Sequence, residues 1–552
     1  MNPLNDRVWV AEYMPGVRAD ANIAAYASLV DLLEHSCERF RTLTAFQCAD
    51  ATLTYAELDQ RAAMFASFLQ HECKLERGER VAIMLSNILQ YPVTLFGVLR
   101  AGMVAVNINP QLDAYELERQ LDDCGARTIV ILNSLCPVLG ASIDRTAIEY
   151  VVTTEPGDLA PPVRRVLTNM TAKRARSAAP TLKGAIPFRT TLTQGERHAY
   201  KPTALGSSDL ALLQYTSGTT GVARAAMLTH GNLVANVMQN HAMFASRLTE
   251  GAEVIVTARP LHDPFALTLN CLLSVMIGAR NALISDANDI QALLRTFSES
   301  RATLFAGNGA LFAALLEAPG FSGIDFERLK LVFGSGAIPH AVAENWRLVT
   351  GIPITPLYGL TEAGPVVCSR PMHRPDMDGT VGIPLPSTTV SIRDGDNEPA
   401  AAGVLGELCV RGPQVMQGYW RKPDDTEHAM TVDGFLRTGD LATMSETGYV
   451  TIIDRKADLI TAESGDVVPN EIESILALHP AVREVACIGV AHAGTEPTLT
   501  VFVVKSDPAL SADALKEFSR KNLTGRKVPA SIEFRESLPK SAAGNILRRA
   551  LR

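Results

Sequence analysis

The sequence predicts an α/β protein with two domains of unequal size. A large N-terminal domain of βαβ layers carries a small β subdomain, and a small α+β domain follows it. Three observations predict this. The chain has 552 residues, too many for one hydrophobic core. Strand-like apolar runs alternate with helical periods up to about residue 360, which points to right-handed βαβ units around mostly parallel sheet. From 385 to 453 short strands and turns take over, and after Asp454 a unit of about a hundred residues is large enough to be a domain. The expected domains are 1–453 and 454–552.

In chain order, residues 28–46 carry apolar residues at helical spacing and predict a helix. Thr54 with Glu57 three residues on is a capping-box pattern. Strands are predicted over Val81–Leu85, Val104–Ile108 and Thr128–Leu132, with helices Gln90–Ala101 and Tyr115–Cys124 between them. Residues 156–201 break this rhythm. They are Pro-rich and basic, with Arg164, Arg165, Lys173, Arg174 and Arg176, and predict a solvated surface excursion. A sharper reading is a peripheral contact with anionic membrane on the inner face. Strands resume at Leu210–Gln214, Val254–Val256, Ala282–Ile284, Leu331–Phe333 and Ile352–Ile354, with a helix over Asn232–Met243. The β subdomain should hold Thr389–Ile392, Gly406–Arg411 and Tyr449–Ile453. Beyond it, a helix opens at Pro469, where Pro and acids fill the first turn. Strands Val485–Val490 and Leu499–Val504 and the helix Ala512–Asn522 complete the chain.

Composition narrows the function. Hydrophobic residues make up 47% and charged residues 20%, as in an ordinary globular protein. A net charge of −8 argues against nucleic-acid binding by bulk charge. The nine cysteines lack metal-ligand or paired spacing, which suits a reducing cytoplasm. Met1 to Arg18 lacks an apolar signal core, and no apolar run approaches the ~20 residues that span a bilayer.

The chemistry concentrates in a few stretches. Thr216-Ser217-Gly218-Thr219-Thr220-Gly221 places hydroxyls and glycines after a predicted strand and ends near a cation, Arg224. Such a loop lets backbone N–H groups and hydroxyls approach phosphate oxygens. It is not a Walker loop, because no Gly-Lys-Ser/Thr follows at the required spacing. Gly334, Gly336 and Ala337 form a turn at a strand end, where doubly wound sheets collect ligands. Tyr358-Gly359-Leu360-Thr361-Glu362 packs an aromatic for a purine, a hydroxyl for a phosphate and an acid for Mg²⁺ into five residues.

Together these stretches resemble the AMP-forming acyl-CoA synthetases of the adenylate-forming superfamily, over nearly the whole chain. Within that superfamily the chain resembles the bacterial long-chain fatty acid–CoA ligases. The resemblance implies an enzyme, an acid–thiol ligase using ATP, Mg²⁺ and CoA. A medium- or long-chain carboxylate would attack the α-phosphate, and CoA would then displace AMP from the acyl-adenylate. The small domain is expected to be mobile and to rotate between the two steps. The resemblance gives Asp440 and Arg455 to the ribose, Thr361, Glu362 and Arg224 to catalysis, and His262, Asp263 and Phe265 to the acid. Gly418-Tyr419-Trp420 and Pro469-Asn470-Glu471 match as well and are assigned to packing.

The departures fall on working positions. The phosphate loop ends in Arg224-Ala225 where the family has Lys-Gly. An acid, Asp263, stands where the family has a His, and His262 precedes it. The hinge position is Ala457 instead of Asp or Lys, and a loop Gly becomes Ser464. Most consequential is Asn545, which replaces the Lys that bridges carboxylate and α-phosphate during adenylation. Lys540 and Arg548 are candidates to supply that charge instead. Without it, the chain could pass acyl groups to a carrier protein or an amine, or act as a non-catalytic nucleotide or acyl-CoA binder.

Overall fold

The computed structural model of the chain describes residues 7–174, 182–216, 223–374, 379–460, 467–492, 495–523, 527–540 and 546–551. Its N-terminal part is built on two large sheets. A seven-stranded sheet runs in the order Ile186–Pro187, Tyr150–Thr154, Thr128–Leu132, Arg80–Met84, Val104–Asn107, Leu210–Thr216, Arg224–Thr229. All its pairings are parallel except the last, an antiparallel hairpin. A nine-stranded sheet is parallel through its centre, where Val254–Thr257, Leu304–Asn308, Leu331–Ser335 and Ile354–Gly359 lie side by side. Antiparallel strands close both of its edges.

The strand cores are buried without alternation, as expected of parallel strands covered on both faces: Thr128–Leu132 and Val254–Thr257 are buried at every position. One apolar core, running in sequence from Trp9 to Val450, joins both sheets and the helices between them. A four-stranded antiparallel sheet, from Thr389–Arg393 to Val450–Arg455, forms the β subdomain. The C-terminal unit has a separate core of Ile472, Leu476, Val485, Cys487, Val501, Val503 and Leu515 around a three-stranded sheet. All nine cysteines are free thiols, and no helix among the described residues is long and apolar enough to cross a membrane.

The structure revises three expectations. The helix predicted over 28–46 is Leu29–Arg39, capped by the Ser28 hydroxyl accepting from the Asp31 N–H. Thr44–Cys48 is a strand instead, held between Ala51–Thr54 and Arg280–Leu283, with Phe46 fully buried opposite Leu53. Long-range pairing overrides a local helical period there. The 156–201 stretch is not simply a solvated excursion. It contains the helices Pro162–Arg174 and Phe188–Gly195, and the buried Phe188 ring stacks on Phe65 at 5.5 Å. Third, the strand predicted at Ile352–Ile354 starts at Ile354 and runs to Gly359, so Tyr358 and Gly359 sit inside it. Pairing with Leu331–Ser335 on one side and Val366–Ser369 on the other extends it. The capping box at Thr54 and Glu57 forms as expected.

Candidate active site

The predicted nucleotide residues come from strand ends. Leu210–Thr216 and Arg224–Thr229 form a hairpin whose register sets Thr216 opposite Arg224. The hairpin therefore presents one hydroxyl and one guanidinium at the two ends of the predicted phosphate loop. Ser217, Gly218, Thr219, Thr220 and Gly221 lie outside the described residues. Thr216 Oγ1 and Arg224 Nε are both buried and have no hydrogen-bond partner among the described residues. Two unsatisfied polar atoms at one loop are costly unless something else fills them, and an anion in the loop would do so.

Gly334 and Gly336 lie at the end of the Leu331–Ser335 strand, beside the end of Ile354–Gly359 that carries Tyr358. A Cβ on Gly334 would come within 2.2 Å of Ile338 Cδ1, and Gly336 has φ +72°, so neither position tolerates a side chain easily. Ala337 follows at the same strand end.

Tyr358, Asp440 and Arg455 meet directly. The Tyr358 hydroxyl donates to Asp440 Oδ2 at 2.6 Å, and Arg455 Nε lies 2.7 Å from Asp440 Oδ1. Antiparallel register explains the ion pair, because Asp440 and Arg455 stand directly opposite across two neighbouring strands. Burial lifts the Asp440 carboxyl above its ordinary value, against the pull of Arg455. Burial also pushes the Tyr358 phenol up, so it stays a donor.

Thr361 and Glu362 occupy the turn Thr361–Ala363, two residues beyond the Tyr358 strand. Glu362 Oε1 accepts from the Tyr419 hydroxyl at 2.7 Å. The Arg224 guanidinium lies over the Tyr419 ring, 4.3 Å from its centroid. Tyr419, assigned to packing from the sequence, thus joins two of the expected catalytic residues. No local pattern could signal this, since 57 residues separate Tyr419 from Glu362.

The residues expected on the acid side, His262, Asp263 and Phe265, follow the strand Val254–Thr257. The His262 carbonyl accepts from Gln214 Nε2 at 3.1 Å, which ties it to the strand leading into the phosphate loop. Its imidazole is buried and desolvation brings its pKa down to about 4, so the ring is neutral. Asp263 Oδ1 accepts from the N–H groups of Phe265 and Ala266, capping the π-wound segment Ala266–Leu272, and lies 3.0 Å from Arg259. The buried Arg259 also bonds Ser335 and faces the Phe265 ring at 5.8 Å. An acid is tolerated at 263 because a cap and a buried cation balance it.

Ala457 is exposed in the short turn Lys456–Asp458, directly after Arg455. Asn545 and Ser464 lie outside the described residues. Both substitute cations are engaged in this structure. Lys540 pairs with Glu484 at 2.7 Å. Arg548 bonds Asp454, Asp458, Glu473 and Asn470 at once, which draws the C-terminal tail against the Lys456–Asp458 turn. Among the described residues no group of three or more His, Cys, Asp or Glu could hold a metal ion by itself.

Residues 33–420 match the family model of the AMP-binding enzymes, and residues 471–545 match that of the AMP-binding enzyme C-terminal domain. A long-chain-fatty-acid–CoA ligase of Salmonella typhimurium is 43% identical over 549 residues, covering 99% of this chain and 98% of its own. A ligase of the same name from Bacillus subtilis is 33% identical over 553 residues, covering 99% of this chain and 98% of its own. Among solved structures, ATP-bound MatB from Rhodopseudomonas palustris superposes with a TM-score of 0.81 at 26% identity, over 95% of this chain and 98% of that one.

Proposed function

This chain belongs to the AMP-binding enzyme family, and we propose that it is an AMP-forming ligase that joins a long-chain fatty acid to CoA. The carboxylate attacks the α-phosphorus of ATP, forming an acyl–phosphate bond as pyrophosphate leaves. The CoA sulfur then attacks the acyl carbon, and AMP leaves with the bonding electrons of the C–O bond. Relatives carrying that ligase name over 98% of their length support the acid class.

The observation that carries the reading is the Tyr358–Asp440–Arg455 cluster, set by cross-strand register beside the Gly334–Ala337 turn. In this reading Asp440 and Arg455 take the ribose, Tyr358, Gly359, Gly334, Gly336 and Ala337 frame the adenine, and the phosphates lie in the 216–221 loop. Arg224 and Thr361 face the transferred charge. Glu362 is the protein's carboxylate for Mg²⁺, whose other ligands would be water and phosphate oxygens, the usual pattern for this ion. The metal would neutralise phosphate charge as it moves from the α-phosphorus to pyrophosphate. His262, Asp263 and Phe265 lie on the acid side. The pivot falls in Lys456–Asp458, with Ala457 exposed at its centre and the domain boundary at 453/454.

The test is pyrophosphate release and thioester formation across saturated acids of increasing length, with and without CoA. Pyrophosphate release with long acids, and thioester only when CoA is added, is the expected result. Release without thioester formation would move the acceptor to another nucleophile. No release with any acid would overturn the reading.

The helix Pro162–Arg174 bears on how a water-insoluble acid is collected. Val163 and Val166 are 74% and 52% exposed, on a helix that also carries four of the basic residues noted above. We propose that this face rests on anionic membrane, burying its apolar residues while its cations meet lipid phosphates. Vesicle association should require anionic lipid and weaken as salt rises, because exposed charges are screened over ~8–10 Å at physiological ionic strength. Equal pelleting with neutral and anionic vesicles would leave the helix as a solvated surface.

A further inference from the structure

Tyr419 is 4% exposed, and both faces of its chemistry are used. Its hydroxyl donates to Glu362 Oε1 at 2.7 Å, and its ring carries the Arg224 guanidinium at 4.3 Å. Its backbone is equally fixed. Tyr419 N–H donates to Thr426 Oγ1, the segment bridges to Ala226 on the phosphate-loop hairpin, and the Glu362 carbonyl accepts from the Met416 N–H. Two segments far apart in sequence, the turn at Thr361–Ala363 and the hairpin strand Arg224–Thr229, are thereby referenced to one ring.

We infer that Tyr419 is a positioning residue for the reaction proposed above, on which this inference rests: it fixes the metal-binding carboxylate of Glu362 and the phosphate-loop cation of Arg224 relative to one another. The physical roles are separable. The phenol takes Oε1 alone and leaves Oε2 to other partners. The hydroxyl donates to a carboxylate, a charge-assisted bond stronger than one between neutral groups. The ring face holds a planar guanidinium by cation–π attraction. The guanidinium carbon sits 4.3 Å from the ring centroid, and Arg224 Nε is buried with no partner among the described residues. A Lys at 224 could not be held this way, because its point charge has no plane to align. The Arg224 departure and the Tyr419 ring therefore form one device, in which a planar cation replaces a flexible one.

Tyr419→Phe keeps the ring and deletes the donor. With saturating ATP and palmitate, the free Mg²⁺ giving half-maximal pyrophosphate release should rise roughly ten-fold, the scale of lost outer-shell support at metal sites. The KM for palmitate and the Tm should stay near wild type. Tyr419→Leu removes the ring as well and should also raise the KM for ATP. In a Glu362→Gln background, Tyr419→Phe should change the Mg²⁺ requirement no further, since the partner of the hydroxyl is already neutral. Should wild type release no pyrophosphate with any acid, the Mg²⁺ dependence of the ATP-induced Tm shift reads the same coupling independently of the ligase reading. An unchanged or lowered Mg²⁺ requirement in Tyr419→Phe overturns the inference, as does a full ten-fold rise in the Glu362→Gln background.

Discussion

Asp440→Ala is expected to remove most of the rise in Tm that Mg-ATP gives the wild-type chain. Binding to the folded state alone stabilises by RT ln(1 + [L]/Kd), about 2.7 kcal/mol at a ligand concentration of 100 Kd. Asp440 is the hub of the proposed ribose site. Its oxygens already hold the Tyr358 hydroxyl and Arg455 Nε, so its removal deletes the acceptor for ribose and releases both neighbours. The unliganded protein should lose less than the liganded one. Arg455 is half exposed and can return to water, and a buried carboxylate with a raised pKa is itself expensive to keep. Asp440→Asn separates geometry from charge: it keeps an acceptor oxygen for Tyr358 but no anion for Arg455, and should fall between wild type and Ala. A wild-type Tm indifferent to both Mg-ATP and AMP would sink the nucleotide site as placed here.

The sequence made much of this arrangement legible because its signals are local. Thr128–Leu132, Gly406–Arg411 and Ala512–Asn522 have the bounds that apolar runs and helical periods indicate. Two catalytic candidates, Thr361 and Glu362, were visible for the same reason, as neighbours in one short motif. What stayed hidden depends on pairing between distant segments. The strand at Thr44–Cys48 exists because Arg280–Leu283 lies beside it, and nothing within residues 28–46 announces that partner. Tyr419 looks like packing until the fold brings Glu362 and Arg224 to its two sides. Asp263 looked like an acid misplaced beside a carboxylate substrate. Arg259, four residues earlier, removes the difficulty, but only the turn into Ala266–Leu272 makes the two side chains meet.

Asn545→Lys is expected to raise the rate of adenylation by an order of magnitude or more, while leaving thioester formation from a synthetic acyl-adenylate nearly unchanged. Adenylation brings a carboxylate to a phosphate, and two anions meet most easily where a cation is already in place. One ten-fold step corresponds to about 1.4 kcal/mol at the transition state, less than preorganised charge commonly contributes. Thiol attack on a ready adenylate makes no such demand and should be spared. Two other cations could have filled the gap, and the structure bears against both in this arrangement. Lys540 is paired with Glu484, and Arg548 bonds three carboxylates and Asn470. Freeing Arg548 would leave Asp454, which is 1% exposed, without its cation and with only the N–H groups of Arg455 and Asn470 as partners, which is costly for a buried charge. Lys540 is the easier to release, since its pair with Glu484 is partly exposed and worth about 1 kcal/mol or less. Lys540→Ala is therefore the decisive companion. If wild-type adenylation is brisk, unchanged by Asn545→Lys and abolished by Lys540→Ala, the cation has moved to 540 and Asn545 is no handicap. If Asn545→Lys accelerates adenylation and Lys540→Ala leaves it alone, the wild-type chain runs its first step without the tail's charge, and Arg224 on its Tyr419 platform is the cation left beside the phosphates.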